Sequence, residues 1–160
     1  MNNSQLNTDA VPFIIGVSSI VLMLAFSAVG SIVGSVKAAS SAAVVANRGI
    51  DLVTKSYLPV LFASAGFMYS LIVTFFSIRE LTTDITLKTA MRIFASCTIY
   101  GVGALFSGIA IGEANKHGIV RLSENRKVFL SMLIVNSTIE MVAVFALICS
   151  VMLLLGGATK

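Results

Sequence analysis

The chain has 160 residues, of which 57% are hydrophobic and 11% charged, and its formal net charge is +4. Soluble domains carry about 25% charged residues, so an ordinary water-soluble fold is excluded, and the length leaves room for one domain. No basic stripe is interleaved with aromatics, so the positive balance does not indicate nucleic acid.

A bilayer crossing needs ~20 apolar residues in a helix, and four runs qualify: 12–36, 57–78, 93–114 and 128–155. They must be helical, because an open sheet leaves backbone groups unsatisfied in lipid. Residues 1–10 hold no Lys or Arg, and the run after them is too long for a signal-peptide core. The first helix is therefore expected to stay in the protein. Asn2-Asn3-Ser4 fits a glycosylation sequon.

The first run ends in Gly30-x-x-x-Gly34, followed at the same spacing by Ala38 and Ala42. Residues four apart share a helix face, and such a small-residue stripe lets two helix backbones approach closely. Two readings stand: packing within one four-helix bundle, or a tight inner layer of helices in an oligomeric ring. The first connection carries Lys37, Arg48 and Lys55. The second run contains Ser64 and Tyr69, and the middle loop holds Arg79, Lys88 and Arg92.

The third run repeats the glycine pattern as Gly108-x-x-x-Gly112, 78 residues after the first. The third connection carries Lys116, Arg121, Arg126 and Lys127, with a lone His117 expected to be solvated. Phe145-Ala-Leu-Ile-Cys-Ser in the fourth run matches Tyr69-Ser-Leu-Ile-Val-Thr in the second, at an offset of 76. The chain is therefore expected to be an all-α membrane protein of two tandem hairpin repeats, about 11–80 and 90–156. Seven of the eleven Lys and Arg fall in the first and third connections, which places those loops in the cytoplasm and both termini on the other side. Cys97 and Cys149 lie inside apolar runs and are expected to pack as small apolar residues.

Glu140 is the one charged residue in the run 128–155. A charged side chain at the bilayer centre costs about 3 kcal/mol on insertion scales, so such a residue marks function. Hydrocarbon favours the neutral, protonated form of a carboxyl. Protonated, Glu140 tolerates lipid; ionised, it needs a cation or a water path. That difference describes a proton carrier whose cationic partner comes from another subunit. Asn136 and Ser137 lie one turn before it. With Ser64 and Tyr69 they are expected either to hold a protonated carboxyl or to offer oxygens to sodium. The alternative for Asn136, Ser137 and Thr138 is a purely helix-linking role. Under the repeat alignment Ser64 stands where the second half has Glu140, which leaves one carrier per chain. There is no Gly-x-x-x-x-Gly-Lys-[Ser/Thr] loop to hold nucleotide. No metal or other cofactor is expected.

Together these residues resemble the 16 kDa c-type proteolipid family of the rotary vacuolar-type proton ATPase (V-ATPase), over nearly the whole chain. Gly30-Ser-Ile-Val-Gly-Ser-Val-Lys37 resembles that family's first-helix glycine motif, and Leu58-Pro-Val60 with Tyr69 its second helix. Gly108-Ile-Ala-Ile-Gly112 resembles its third-helix motif, and Glu140 falls at its proton-carrying carboxyl. The resemblance implies a ring of identical or paralogous proteolipids turning in an endomembrane against a stator subunit with an essential arginine. Central-stalk subunits and a separate ATP-hydrolysing sector would drive the turning, so the chain itself is expected to be no enzyme. Some positions depart from the pattern. Asn136, Ser137 and Thr138 stand where the family is usually apolar; Ser35, Ala38 and Ala39 stand where it has more glycine; Phe145 lacks the usual tyrosine hydroxyl.

Three rival readings remain. A sodium-carrying ring rests on the oxygens of Ser64, Asn136 and Ser137. A four-helix drug/proton antiporter would want aromatics around its acid, and this chain has no Trp. A structural four-span junction protein leaves Glu140 without a role.

Overall fold

A computed structural model describes residues 3–82 and 85–156, with side chains from residue 10 onward. Asn2 of the N-terminal sequon, Asp84 and Lys160 lie outside the described residues. Four helices run in order: α1 (Asn3–Val45), α2 (Ile50–Glu80), α3 (Leu87–Glu124) and α4 (Val128–Leu155). A 3-10 turn, Ala46–Arg48, joins the first two. Each of the four helices is long and apolar enough to cross a membrane.

Three helices overrun the apolar segments that announce them. The stretches on either side of the first turn, and residues 115–124, read as connections by composition, yet they are helical. The reason is packing. Ala38, Ala42 and Val45 of α1 are buried with Leu52 of α2, Ile119 and Leu122 of α3, and Met132 of α4, forming a separate small core at that end. Alanine is also the best helix former, so residues 38–45 have no local reason to unwind. The connections shrink to residues 46–49 and 125–127. Gly49 turns the first corner at φ 126°, a conformation L side chains rarely adopt. Its carbonyl then accepts from Leu52 and Val53 N–H, both at 3.2 Å, opening α2. Thr86 caps α3 by accepting from the N–H of Thr89 at 3.3 Å.

Helices α1 and α3 form the centre of the bundle, and glycine is why they can. A Cβ at Gly30 would stand 2.6 Å from the Cα of Leu105, and one at Gly112 would stand 2.6 Å from the Cα of Gly34. A Cβ at Gly34 would overlap the carbonyl oxygen of Gly108, and one at Gly108 would meet the carbonyl of Gly30. All four glycines thus sit in one backbone-to-backbone contact inside the chain. Beyond it, polar groups tie the same two helices. Lys37 pairs with Glu113, Ser41 donates to the Lys116 carbonyl at 3.0 Å, and Arg48 donates to Ser123 at 2.8 Å. Arg126 reaches Asp51 at 2.8 Å across the two turns. Glu113 thus lies inside α3, at the end of the third apolar run.

The second core joins Met23 of α1, Val73 of α2, Ile93, Cys97, Tyr100 and Ala104 of α3, and Leu154 of α4. Cys97 is buried beside Ser77, whereas Cys149 is exposed on α4 and so departs from the expected packing role. Exposed large apolar residues line every helix, as expected of surfaces facing lipid or other membrane helices.

Candidate functional site

Glu140 lies near the middle of α4, half-buried, and turns toward α2. Its Oε1 accepts a hydrogen bond from the Tyr69 hydroxyl at 2.9 Å. The rest of its surroundings is hydrocarbon. Leu58, Leu61, Phe62 and Ala65 of α2 line an open groove of ≈ 260 Å³ with the carboxyl on its wall. No ion pair among the described residues involves Glu140; the pairs formed are Lys37–Glu113, Lys55–Asp51, Arg92–Glu80 and Arg126–Asp51. Among the described residues, a carboxyl in that setting has one polar partner and no counter-charge.

Both walls of the groove are fixed from α3. On the α2 side, the Tyr100 hydroxyl donates to the carbonyl of Gly66, one turn before Tyr69. Tyr100 is fully buried, so its hydroxyl needs such a partner. On the α4 side the attachments occur at three levels. Asn136 and Asn115 exchange amide hydrogen bonds. Ser107 donates to the carbonyl of Ile139 at 3.2 Å, immediately before the acid. Ser96 meets the Ser150 hydroxyl at 2.6 Å and donates to its carbonyl at 3.0 Å.

Of the residues expected around the carboxyl, the structure brings only Tyr69 to it. The Ser64 hydroxyl donates to the Leu61 carbonyl of its own helix at 2.9 Å. Asn136 is 1% exposed and spends its amide on Asn115. Ser137 is exposed, and Phe145 is 62% exposed and points outward. The reason is angular. A residue one turn earlier in a helix is displaced by about 40° around the axis, since the repeat is 3.6 residues. That rotation is enough to aim Asn136 at α3 and Glu140 at α2. The three oxygens on which a sodium cage depends do not converge. Asn115 and Tyr100 went unread in the sequence, as did the apolar wall from Leu58 to Ala65. Tyr100 had a signal: a lone tyrosine inside an apolar run must find an acceptor. Asn115 had a weaker one, an amide one turn from a packed glycine stripe.

Comparison with known proteins shows what these helices are similar to. The profile of the ATP synthase C-subunit family matches residues 94–153, which hold most of α3 and nearly all of α4 with Glu140. The 16 kDa proteolipid c-subunit of the V-type proton ATPase from Rattus norvegicus is 26% identical over 81% of this chain and 84% of its own length. The Homo sapiens protein of the same description gives the same identity and coverage. The V-type proton ATPase proteolipid subunit of Dictyostelium discoideum is 25% identical over 91% of this chain and 77% of its own. With four membrane-length helices and a mid-span carboxyl, the chain is similar over about four-fifths of its length to V-type ATPase proteolipid c-subunits, and its residues 94–153 match the ATP synthase C-subunit profile.

Proposed function

We propose that this chain is a rotor-ring subunit of a V-type ATPase that carries a proton across the membrane on Glu140. The supporting observation is the placement of that carboxyl: mid-helix, in an apolar groove, hydrogen-bonded to the Tyr69 phenol and to no cation. Protonated, the group is neutral and passes through lipid. Ionised, it waits for a positive charge that this chain does not supply at that depth, so the releasing charge is a stator arginine on another subunit. Moving one charge against 100 mV takes about 2.3 kcal/mol, which ATP hydrolysis in other subunits of the complex provides. The chain itself binds no nucleotide in this scheme.

The helices α1–α2 and α3–α4 are the two repeats, with glycine-packed α1 and α3 forming the inner layer of the ring and α2 and α4 the outer. Like or paralogous proteolipids are the ring neighbours, and central-stalk subunits meet the turning ring. The basic side chains near the first and third connections support a cytoplasmic position for that end by the positive-inside rule, in an endomembrane. The test is labelling of Glu140 by a hydrophobic carbodiimide, which attacks a protonated carboxyl in an apolar setting. Labelling that persists to neutral pH and ignores sodium is the expected result. Protection by millimolar sodium would assign the ring to sodium instead, and absence of labelling at every pH would overturn the carrier role.

A further inference from the structure

The Asn115–Asn136 pair does not touch the carboxyl, yet it is a buried polar pair in an apolar bundle. Both amides are 1% exposed. Asn115 Nδ2 donates to the Asn136 Oδ1 and to the Ile111 carbonyl at 2.7 Å, and Asn136 Nδ2 donates back to Asn115 Oδ1 at 3.2 Å. Every strong group of the pair is engaged, so any rotation or slide of α4 on α3 would strand buried amides without partners. Buried asparagines are the best-attested device for fixing the register of packed helices.

What that register controls lies one turn away. Asn136 and Glu140 stand on adjoining strips of α4, about 40° apart. With Asn136 locked onto α3, Glu140 is turned to α2 and meets the Tyr69 hydroxyl at 2.9 Å. The α2–α4 seam cannot set this orientation by itself, because it is an open groove lined by Leu58, Leu61, Phe62 and Ala65. We infer that Asn115 and Asn136 are positioning residues for the proton carrier, fixing the rotation of α4 so that Glu140 faces Tyr69. This inference rests on the carrier reading of Glu140. It implies that the carboxyl leaves Tyr69 by a side-chain movement, with α4 held in place.

The experiment measures carbodiimide labelling of Glu140 against pH in membranes containing the assembled full chain. The single variants Asn115→Leu and Asn136→Leu are compared with the paired variant Asn115→Leu/Asn136→Leu, each with and without Tyr69→Phe. The paired variant leaves no orphaned amide and serves where the singles fail to assemble. The expected result is a shift of the labelling midpoint as large as Tyr69→Phe alone produces in the parent chain. In that background Tyr69→Phe adds no further shift. A midpoint unchanged from the parent chain, with the full effect of Tyr69→Phe retained, overturns the positioning role and leaves the carrier intact. A parent chain that never labels overturns both.

Discussion

Two interfaces of this chain are built on opposite principles. Between α1 and α3, glycines bring backbone against backbone, and an added Cβ at Gly30, Gly34, Gly108 or Gly112 would collide with main-chain atoms. Between α2 and α4 there is a groove, large apolar side chains and, among the described residues, one hydrogen bond, from Tyr69 to Glu140. The first contact has no room to change and carries no chemistry. The second has room, and the titratable group sits in it. The lesson is a division of labour: glycine contacts and the polar ties from α3 hold the helices, which leaves the α2–α4 seam with the carboxyl open. A protonation site that must open and close benefits from an interface that contributes little to stability.

The sharpest way to break the comparison is at the seam. Glu140→Gln is expected to leave the oligomer assembled and to bring ATP-driven proton transport to background, because an amide does not shuttle a proton. Vesicle acidification with the variant as the sole proteolipid is the measurement, and normal acidification would refute the assignment. At the glycine contact, Gly34→Leu or Gly112→Leu is expected to destabilise the bundle by on the order of 3 kcal/mol, the upper range for overpacking. The loss should appear as a missing or smaller oligomer on native gels. An intact ring would mean that the close approach of α1 and α3 is dispensable.

A smaller effect separates the two interfaces more finely. Tyr69→Phe removes one hydrogen bond, ~1 kcal/mol, and is expected to alter the pH profile of Glu140 labelling without changing assembly. The smallest effect belongs to Lys37→Ala. Its pair with Glu113 is open to solvent on both sides, and such pairs contribute little and are screened by salt. Assembly and transport should remain near the parent level, and a large loss would give this pair a role beyond tying α1 to α3.

Much of the architecture was legible because lipid restricts the options. Four long apolar runs, Gly30/Gly34 and Gly108/Gly112, and a lone mid-run Glu140 are constraints that one sequence displays. Helix ends were less legible, because the charges flanking residues 38–45 and those within 115–124 read as connections. Burial of Ala42 and Val45 with Ile119 and Leu122 adds to alanine's own helix preference and keeps these stretches helical. The surroundings of Glu140 were the least legible. Spacing placed Asn136 and Ser137 near it, but about 40° of helical rotation decides which neighbour a side chain meets. That angle is set by Asn115 on another helix and by Ser107 bonding to a backbone carbonyl. Neither partner has a signature in the primary structure that names its mate.

The overrun of the helices beyond their apolar runs has a mechanical side. Helix α3 continues about ten residues past the third apolar run, roughly 15 Å of additional rod. Helices α1 and α2 extend past theirs at the same end. Arg48 with Ser123 and Arg126 with Asp51 lash these stubs together. Anything that grips the molecule there takes hold of hydrogen-bonded rods instead of slack loops. Torque applied at that collar would reach the level of Glu140 with no flexible joint between, and the compliance of the machine would have to reside elsewhere.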